Sequence, residues 1–463
     1  MSNTFITVSP IDGSSCVVRP YATTEHILLT IRKADAAQQS WKKVPLEERK
    51  ALCTRAIDAF VAKKEQIVAE ICWQMGRPIA SAAGEVRGLE ERARAMIDLA
   101  DRGLAPVKLE QKPGVMRWIQ HEPLGVVFVI APWNYPYLTA INAVLPAILA
   151  GNSIVLKHSV QTPLCAERLD EAFRAGGLPE GVFQYLHLTH EDTERVIRDK
   201  RIQHVAFTGS VPGGEMVEKA AAGRFIGIGL ELGGKDPAYV RADAELAHAV
   251  ETTMNGAFYN SGQSCCAIER VYVHEAVYDR FLEQAVAWVK ALQLGRSDNP
   301  ETTLGPVVRA SAADFVREQI QEAVAQGAVA HISPADFPLD KPGTPYLAPQ
   351  LLTEVNHSMR IMTEESFGPV VGIQKVGSDQ EAIKLMNDST YGLTAAIFTR
   401  DIDQGIELGQ QIDTGTFFIN RCDYLDPGLA WTGVKNSGRG CTLSVLGYEY
   451  LTRPKSYHIK TEL

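Results

Sequence analysis

Two adjacent thiols are the first residues whose type and placement could do chemistry. Cys265 and Cys266 follow Asn260, Ser261, Gly262, Gln263 and Ser264, a glycine-containing loop that lies outside any strand pattern. A thiolate is the strong nucleophile among side chains at neutral pH. Cysteine is also among the most often buried residues, so from this segment alone two structural thiols are the commoner case. Glu231 ends an apolar run in Glu231-Leu232-Gly233-Gly234-Lys235. A carboxylate there is either paired in the core or poised as a base with a raised pKa. Asn134, in PWNYP (132–136), can donate its amide to an oxyanion or satisfy the backbone of its own loop. Lys157 ends SIVLK and faces either a cofactor or solvent. In FTGSVPGG (207–214), Gly209 would allow a tight turn and Pro212 suits a first helical turn. The free N–H groups of that helix start could hold a pyrophosphate. Gly209 and Gly214 are five apart, so this is not the G-x-G-x-x-G fingerprint, and a plain strand-to-helix turn explains it as well.

The elements that must position these groups are legible as hydrophobic patterns. Residues 24–103 predict helices, broken at Gly76 and Pro78. VKLEQKPGVMRWIQHEP predicts a hairpin turning at Lys112-Pro113-Gly114. The strands GVVFVIAP, SIVLKHS, GVFQYLHL, HVAFTGS and FIGIGLELGG then alternate with helices YLTAINAVLPAILAG, TPLCAERLDEAFRAGG and 212–222. Continuous apolar strands fit a parallel sheet covered on both faces. Such doubly wound α/β sheets bind ligands at the carboxyl ends of their strands. After Gly234 the pattern restarts, with a helix over 244–258, the thiol loop, the strand RVYVHE and the helix YDRFLEQAVAWVKAL. A second α/β unit runs to about residue 440, and the last strand alternates like an edge strand.

Composition bounds the function. The chain has 463 residues, 45% hydrophobic and 22% charged, with a net charge of -9. At about 150 residues each, that length predicts roughly three domains, with a core that needs no disulfide or structural metal. The mild acidity argues against a nucleic-acid surface. The eight cysteines form no C-x-x-C pair and no zinc spacing, so no metal site is expected and they read as reduced thiols of a cytoplasmic protein. The N-terminus has no basic start followed by an apolar run, so no signal peptide is expected. The stretch 123–156 is uncharged, but Pro132, Asn134, Pro136, Asn142, Pro146, Gly151 and Asn152 interrupt it. It reads as a buried strand-helix-strand unit rather than as a membrane span.

Seven segments occur in the order PWNYP, LKHS, FTGS, ELGGK, GQSC, EESFGPV and GVKNSG. In order and spacing the chain resembles the aldehyde dehydrogenase superfamily, hydrolytic branch, from SPIDGSS near residue 10 to the terminal strand. The resemblance implies an α/β fold with a Rossmann-like cofactor domain (1–106 and 124–231) and an α/β catalytic domain (232–442). It also implies a small β oligomerisation arm (107–123 and 443–463). It implies Cys265 as nucleophile, Asn134 with the Cys265 backbone N–H as oxyanion donors, and Glu231 as the base for the deacylating water. Lys157 would contact the adenosine ribose. Gly209 and Ser210 would lie at the pyrophosphate, with Phe207 packed nearby. Glu365 and Phe367 would lie at the nicotinamide ribose, and Pro132 and Trp133 beside the cofactor. Tyr135, Tyr259, Cys266, Leu425 and Trp431 would line the substrate pocket.

The implied reaction oxidises an aldehyde to its acid with NAD or NADP through a cysteine thiohemiacetal and thioester. Many NAD-preferring relatives carry a Glu three residues after the lysine. Here Val160 stands there and His158 replaces the usual Pro, so NADP is not excluded and the reading leans only slightly to NAD. The pocket residues imply an apolar or aromatic aldehyde. Arg421, in NRCDYLDP, could instead bind a carboxylate and make this a semialdehyde enzyme, although a surface or structural arginine is the plainer reading. Two other readings stand beside these. One is an acylating enzyme, which Glu231 speaks against. The other is a non-catalytic protein that keeps the fold. The family implies a homodimer or homotetramer.

Overall fold

The computed structural model describes residues 4–462. The chain opens with an antiparallel hairpin, β1 (Thr4–Val8) and β2 (Ser15–Pro20), which the sequence pattern did not announce. Four helices follow: α1 (Thr24–Trp41), α2 (Leu46–Val61), α3 (Lys64–Met75) and α4 (Ile79–Gly103). The Thr23 hydroxyl caps α1 by accepting from the His26 N–H at 3.2 Å. Gly76 ends α3 in the left-handed region (φ 80°), as expected of a glycine just past a helix.

The short strand β3 (Val107–Lys108) and the long β4 (Val115–Pro123) flank the predicted turn, where Gly114 takes φ 69°. The closing strand Thr452–Lys460 pairs antiparallel with β4 along its whole length, from Thr452↔Pro123 to Lys460↔Val115. Trp118 and Tyr457 stack across this pair at 4.5 Å.

The uncharged stretch folds as β5 (Val126–Ala131), α5 (Pro136–Leu149) and β6 (Ser153–His158). Every residue of β5 is buried, which is why it reads as a continuous apolar run. Next come α6 (Pro163–Ala175), β7 (Phe183–Tyr185), α7 (His190–Arg198), β8 (Ile202–Thr208), α8 (Val211–Ala221) and β9 (Gly227–Glu231). Of GVFQYLHL only three residues form a strand, and α7 was not foreseen. Strands β9, β8, β5, β6 and β7 lie side by side and are all parallel. No helix among the described residues is long and apolar enough to cross a membrane.

A second sheet is built on β10 (Asp236–Val240) and β11 (Ile268–His274), with α9 (Leu246–Phe258) between them and α10 (Glu275–Lys290) after them. β10 pairs parallel with β11 and with the strand Thr394–Phe398, and β11 pairs parallel with the strand Val370–Val376. Each sheet is packed with apolar side chains on both faces. Ile154, Leu156 and Val144 lie in one such layer of the first, and Val271, Val273 and Phe281 in one of the second.

Candidate active site

The register of the first sheet gathers chemistry at one edge. Ile130 lies opposite Lys157 and Phe207, and Thr208 lies opposite Glu231. All are at the carboxyl ends of parallel strands, so the loop Pro132–Tyr135, Lys157, Gly209 and Glu231 share one rim. The Glu231 carboxylate accepts from the Thr442 hydroxyl at 2.5 Å and the Thr208 hydroxyl at 3.3 Å. Burial raises its pKa above the ordinary 4.5, and these two donors oppose the rise.

The thiol loop is strongly bent. Asn260, Ser261 and Gly262 take φ of 52°, 57° and 72° in succession. A Cβ on Gly262 would lie 2.1 Å from the Gly368 carbonyl oxygen, so only glycine fits. Gln263 anchors the bend: its Oε1 accepts from Val308 N at 2.7 Å and its Nε2 donates to Asn260 O at 3.1 Å. Asn134 Nδ2 donates to Gln263 O at 3.2 Å, which ties the PWNYP loop to the backbone two residues before Cys265. Cys265 is half-buried and Cys266 is buried. The Ser264 hydroxyl and the Cys266 thiol donate to Asp423 at 3.0 and 3.1 Å. Burial pushes the Asp423 carboxyl up to about 6 against those donors.

Cys265, Glu231 and Thr208 open into one cavity of about 250 Å³. All five expected pocket residues, Tyr135, Tyr259, Cys266, Leu425 and Trp431, line it. Arg421 does not line it; it is exposed, and its guanidinium lies 3.6 Å over the Tyr424 ring, as the plainer reading of that residue expected.

Sequence reasoning missed the polar frame behind this cavity. Arg77 and Glu85 form an ion pair at 2.9 Å, exposed by only 1% and 0% of their side chains. Arg77 also donates to Asn134 O at 2.7 Å and to Asn260 Oδ1 at 3.1 Å. The other Glu85 oxygen accepts from Tyr137 N (3.1 Å) and Leu138 N (3.2 Å), which caps the first turn of α5. One ion pair thus fixes both the Asn134 loop and the bend that carries Cys265. Arg92 and Asn142 also line the cavity and were not singled out as functional.

The residues expected at a cofactor lie along the same rim. The Ser210 hydroxyl accepts from Gly213 N at 3.3 Å and caps α8. Gly209, expected at a tight turn, does not have a positive φ; its missing Cβ makes room for the Phe207 ring, 2.6 Å from where that atom would stand. Gly213 leaves the same gap for Phe207. Such a cradle of small residues at a helix start suits a pyrophosphate. Lys157 is half-buried rather than simply solvated, and burial lowers its pKa to about 8. His158 is buried, bonded to Pro136 O (3.0 Å) and the Thr162 hydroxyl (3.1 Å), a structural role that explains the departure from Pro. Glu365 accepts from Gly234 N at 3.1 Å, and burial, with Glu269 nearby, raises its pKa to about 8. The Phe367 ring meets Trp133 edge-on at 5.6 Å, which joins the EESFGPV segment to the PWNYP loop. Lys235 and Glu269 hold that segment from below: Lys235 donates to Glu269 at 2.5 Å, and Glu269 accepts from Ser366 N and Phe367 N.

A parallel sheet presenting a capped helix start, with a cysteine loop closing over its carboxyl edge from a second sheet, is the arrangement of an α/β dehydrogenase. The sequence profile of the aldehyde dehydrogenase family matches residues 1–457. The chain is 33% identical over 451 residues to a succinate-semialdehyde dehydrogenase (NADP(+)) of Deinococcus radiodurans, covering 97% of this chain and 94% of that one. The solved succinic semialdehyde dehydrogenase of Streptococcus pyogenes, in complex with NADP+, superposes with a TM-score of 0.94 at 30% identity over 98% of this chain and 100% of that one. PnpE in complex with nicotinamide adenine dinucleotide does so with a TM-score of 0.94 at 29% identity, over 99% and 95%. The chain belongs to the aldehyde dehydrogenase family, whose members oxidise aldehydes with NAD(P).

Proposed function

We propose that the Cys265 thiolate attacks an aldehyde carbonyl and that Asn134 Nδ2 and the Cys265 backbone N–H hold the resulting alkoxide. The carrying observation is the single cavity that joins Cys265 to Glu231, with Asn134 tied to the same loop. Attack forms the S–C bond of a thiohemiacetal. A bound NAD(P) supplies the hydride acceptor that turns it into a thioester. Glu231 then takes a proton from water, whose oxygen attacks the thioester; the acid leaves and Cys265 is restored. Its raised pKa suits a base that must also release its proton. Oxyanion donors of this kind are worth about 10²–10³ in rate.

NADP is the cofactor this reading favours, in place of the earlier lean to NAD. Lys157 pairs with no carboxylate among the described residues, Val160 is exposed where a repelling Glu would stand, and two of the three named relatives carry NADP in their names, PnpE having been solved with nicotinamide adenine dinucleotide. Lys157 would hold the ribose side, the start of α8 the pyrophosphate, and Glu365 the nicotinamide ribose. We divide the chain at the boundaries expected from sequence: 1–106 and 124–231 for the cofactor, 232–442 for catalysis, and 107–123 with 443–463 as the arm. The long β4–Thr452–Lys460 pair leaves an edge that a second copy would cover, in a homodimer or homotetramer. We assign the enzyme to the cytoplasm, because Cys265 must remain a thiol and the other cysteines are also free.

The test is an aldehyde panel read by NADH and NADPH absorbance, with Cys265→Ala and Glu231→Gln alongside. Cys265→Ala should form no reduced cofactor. Glu231→Gln should give a burst with little turnover. Full steady-state turnover by Glu231→Gln, or unchanged activity of Cys265→Ala, would refute the assignments.

A further inference from the structure

One face of α4 borders the cavity of Cys265. Gly84, Gly88, Glu91 and Arg92 lie on it, at helical spacing. The two glycines let the facing side chains approach this face closely. A Cβ on Gly88 would come within 2.5 Å of Leu138, and one on Gly84 within 3.3 Å of the Tyr259 hydroxyl. One turn beyond Gly88 stands Arg92, with only 9% of its surface exposed.

Arg92 Nη1 donates to Leu138 O at 2.9 Å and Asn142 Oδ1 at 3.3 Å. Its Nε and Nη2 have no protein acceptor, and it has no carboxylate partner, among the described residues. Asn142 is 2% exposed, and because its Oδ1 faces Arg92 its Nδ2 is left buried without a partner. The other charges around the cavity are already engaged. Arg77 is bound to Glu85, Glu231 to Thr442 and Thr208, Asp423 to Ser264 and Cys266, and Glu91 to the Tyr424 hydroxyl. What remains is a cluster of donors with no acceptor, built around a buried cation. A buried cation is costly unless something pairs it, and a carboxylate, with two acceptor oxygens, matches a guanidinium fork and one amide.

We propose that Arg92 and Asn142 form a carboxylate subsite, so that the aldehydes this enzyme oxidises carry an acid group at their far end. The proposal rests on the aldehyde-oxidation reading above and names its substrate class. It moves the recognition of that acid group from Arg421, on the surface, to α4 and α5. The walls of Tyr135, Tyr259, Leu425 and Trp431 then hold the body of the molecule rather than select a wholly apolar one.

The test compares kcat/KM for succinate semialdehyde and for butanal, its neutral counterpart in length, in the wild type, Arg92→Gln, Arg92→Lys and Asn142→Ala. Succinate binding is measured by calorimetry in the same proteins. The wild type should prefer succinate semialdehyde by about 100-fold, as hydrogen bonds to a buried charge imply. Arg92→Gln should lose most of that preference and its succinate binding. Arg92→Lys should keep part of both, and Asn142→Ala should lose about tenfold of the preference with the cation still in place. Equal losses on both aldehydes in Arg92→Gln, or no preference in the wild type, would overturn the subsite while leaving aldehyde oxidation standing. A wild type that oxidises neither aldehyde yet binds succinate through Arg92 would sink the oxidation reading and keep the subsite. Should Arg92→Gln fail to fold, Asn142→Ala and Arg92→Lys carry the decision: unchanged preference in both refutes the proposal.

Discussion

Arg77→Met should cost both stability and rate, and the sizes follow from what Arg77 touches. The substitution removes three bonds, to Glu85 (2.9 Å), Asn134 O (2.7 Å) and Asn260 Oδ1 (3.1 Å). It leaves Glu85, which is fully buried, without its counter-charge. Breaking a buried pair from one side costs about 3–5 kcal/mol. Burial already pushes the Glu85 carboxyl up, with Arg77 opposing, so Glu85 will take a proton in the variant. It then accepts less strongly from Tyr137 N and Leu138 N, and the first turn of α5 loosens next to Asn134. A displaced oxyanion donor lowers kcat by about 10²–10³. Arg77→Met/Glu85→Gln should recover about 2 kcal/mol or more, because no uncompensated charge remains, while kcat stays low, because Asn134 O and Asn260 still lack their donor. The assays are urea midpoints, thermal-inactivation half-lives and steady-state kcat; inactivation is included because a chain with several separate cores need not unfold in one step. A single variant as resistant as the wild type, or a double variant weaker than the single, would refute this account of the pair.

Three further outcomes follow from the same geometry. Gly262→Ala places a methyl 2.1 Å from Gly368 O at a residue with φ 72°, so the Cys265 loop should be displaced, with kcat falling by at least about tenfold, read as kcat beside an unchanged far-UV spectrum. Asp423 has its pKa raised from 3.8 to about 6. The stability linked to its protonation is therefore full below about pH 4 and lost as pH rises through about 6, so Asp423→Asn should be more resistant to urea than the wild type at pH 8, by at most about 3 kcal/mol, with the advantage gone at pH 4. A constant difference across that range would contradict the sign. Val160→Glu adds a carboxylate three residues after Lys157 and should shift kcat/KM from NADP toward NAD by about tenfold or more, measured with both nucleotides at fixed aldehyde.

What the sequence made legible was whatever a local pattern carries. β5 and β6 are buried at nearly every position, so their apolar runs are continuous and the parallel sheet could be read from them. Cys265, Asn134 and Glu231 stood out because each is a reactive type in a segment of recognisable order. α7 was missed because only Thr193, Val196 and Ile197 of its nine residues are buried, too few to set a period. Its start signal was nevertheless present: Thr189 accepts from Asp192 N, with Glu191 and Asp192 in the first turn. Gly209 was read for its backbone freedom, whereas what matters there is the room it gives Phe207, a contact no turn rule contains.

The polar frame was hidden for a different reason. Thr442 meets Glu231 across 211 residues of chain, and Arg77 meets Asn260 across 183. Neither threonine nor arginine announces a partner by spacing when the two sides are so far apart along the chain. Arg92 is the sharpest case. On α4 it sits between Glu91 and Ala93, in a helix rich in charges, and reads as one more solvated arginine. Only the burial of its helix face distinguishes it from Arg94, which pairs with Glu90 and Asp58 at the surface. The reaction type was therefore written in residues that a motif can hold, while the end of the substrate away from the carbonyl is met by residues whose meaning exists only once α4 packs against α5. For that reason a carboxylate reader sought by motif position, in NRCDYLDP, fell on Arg421, whereas the cavity-lining guanidinium without a carboxylate partner among the described residues belongs to Arg92.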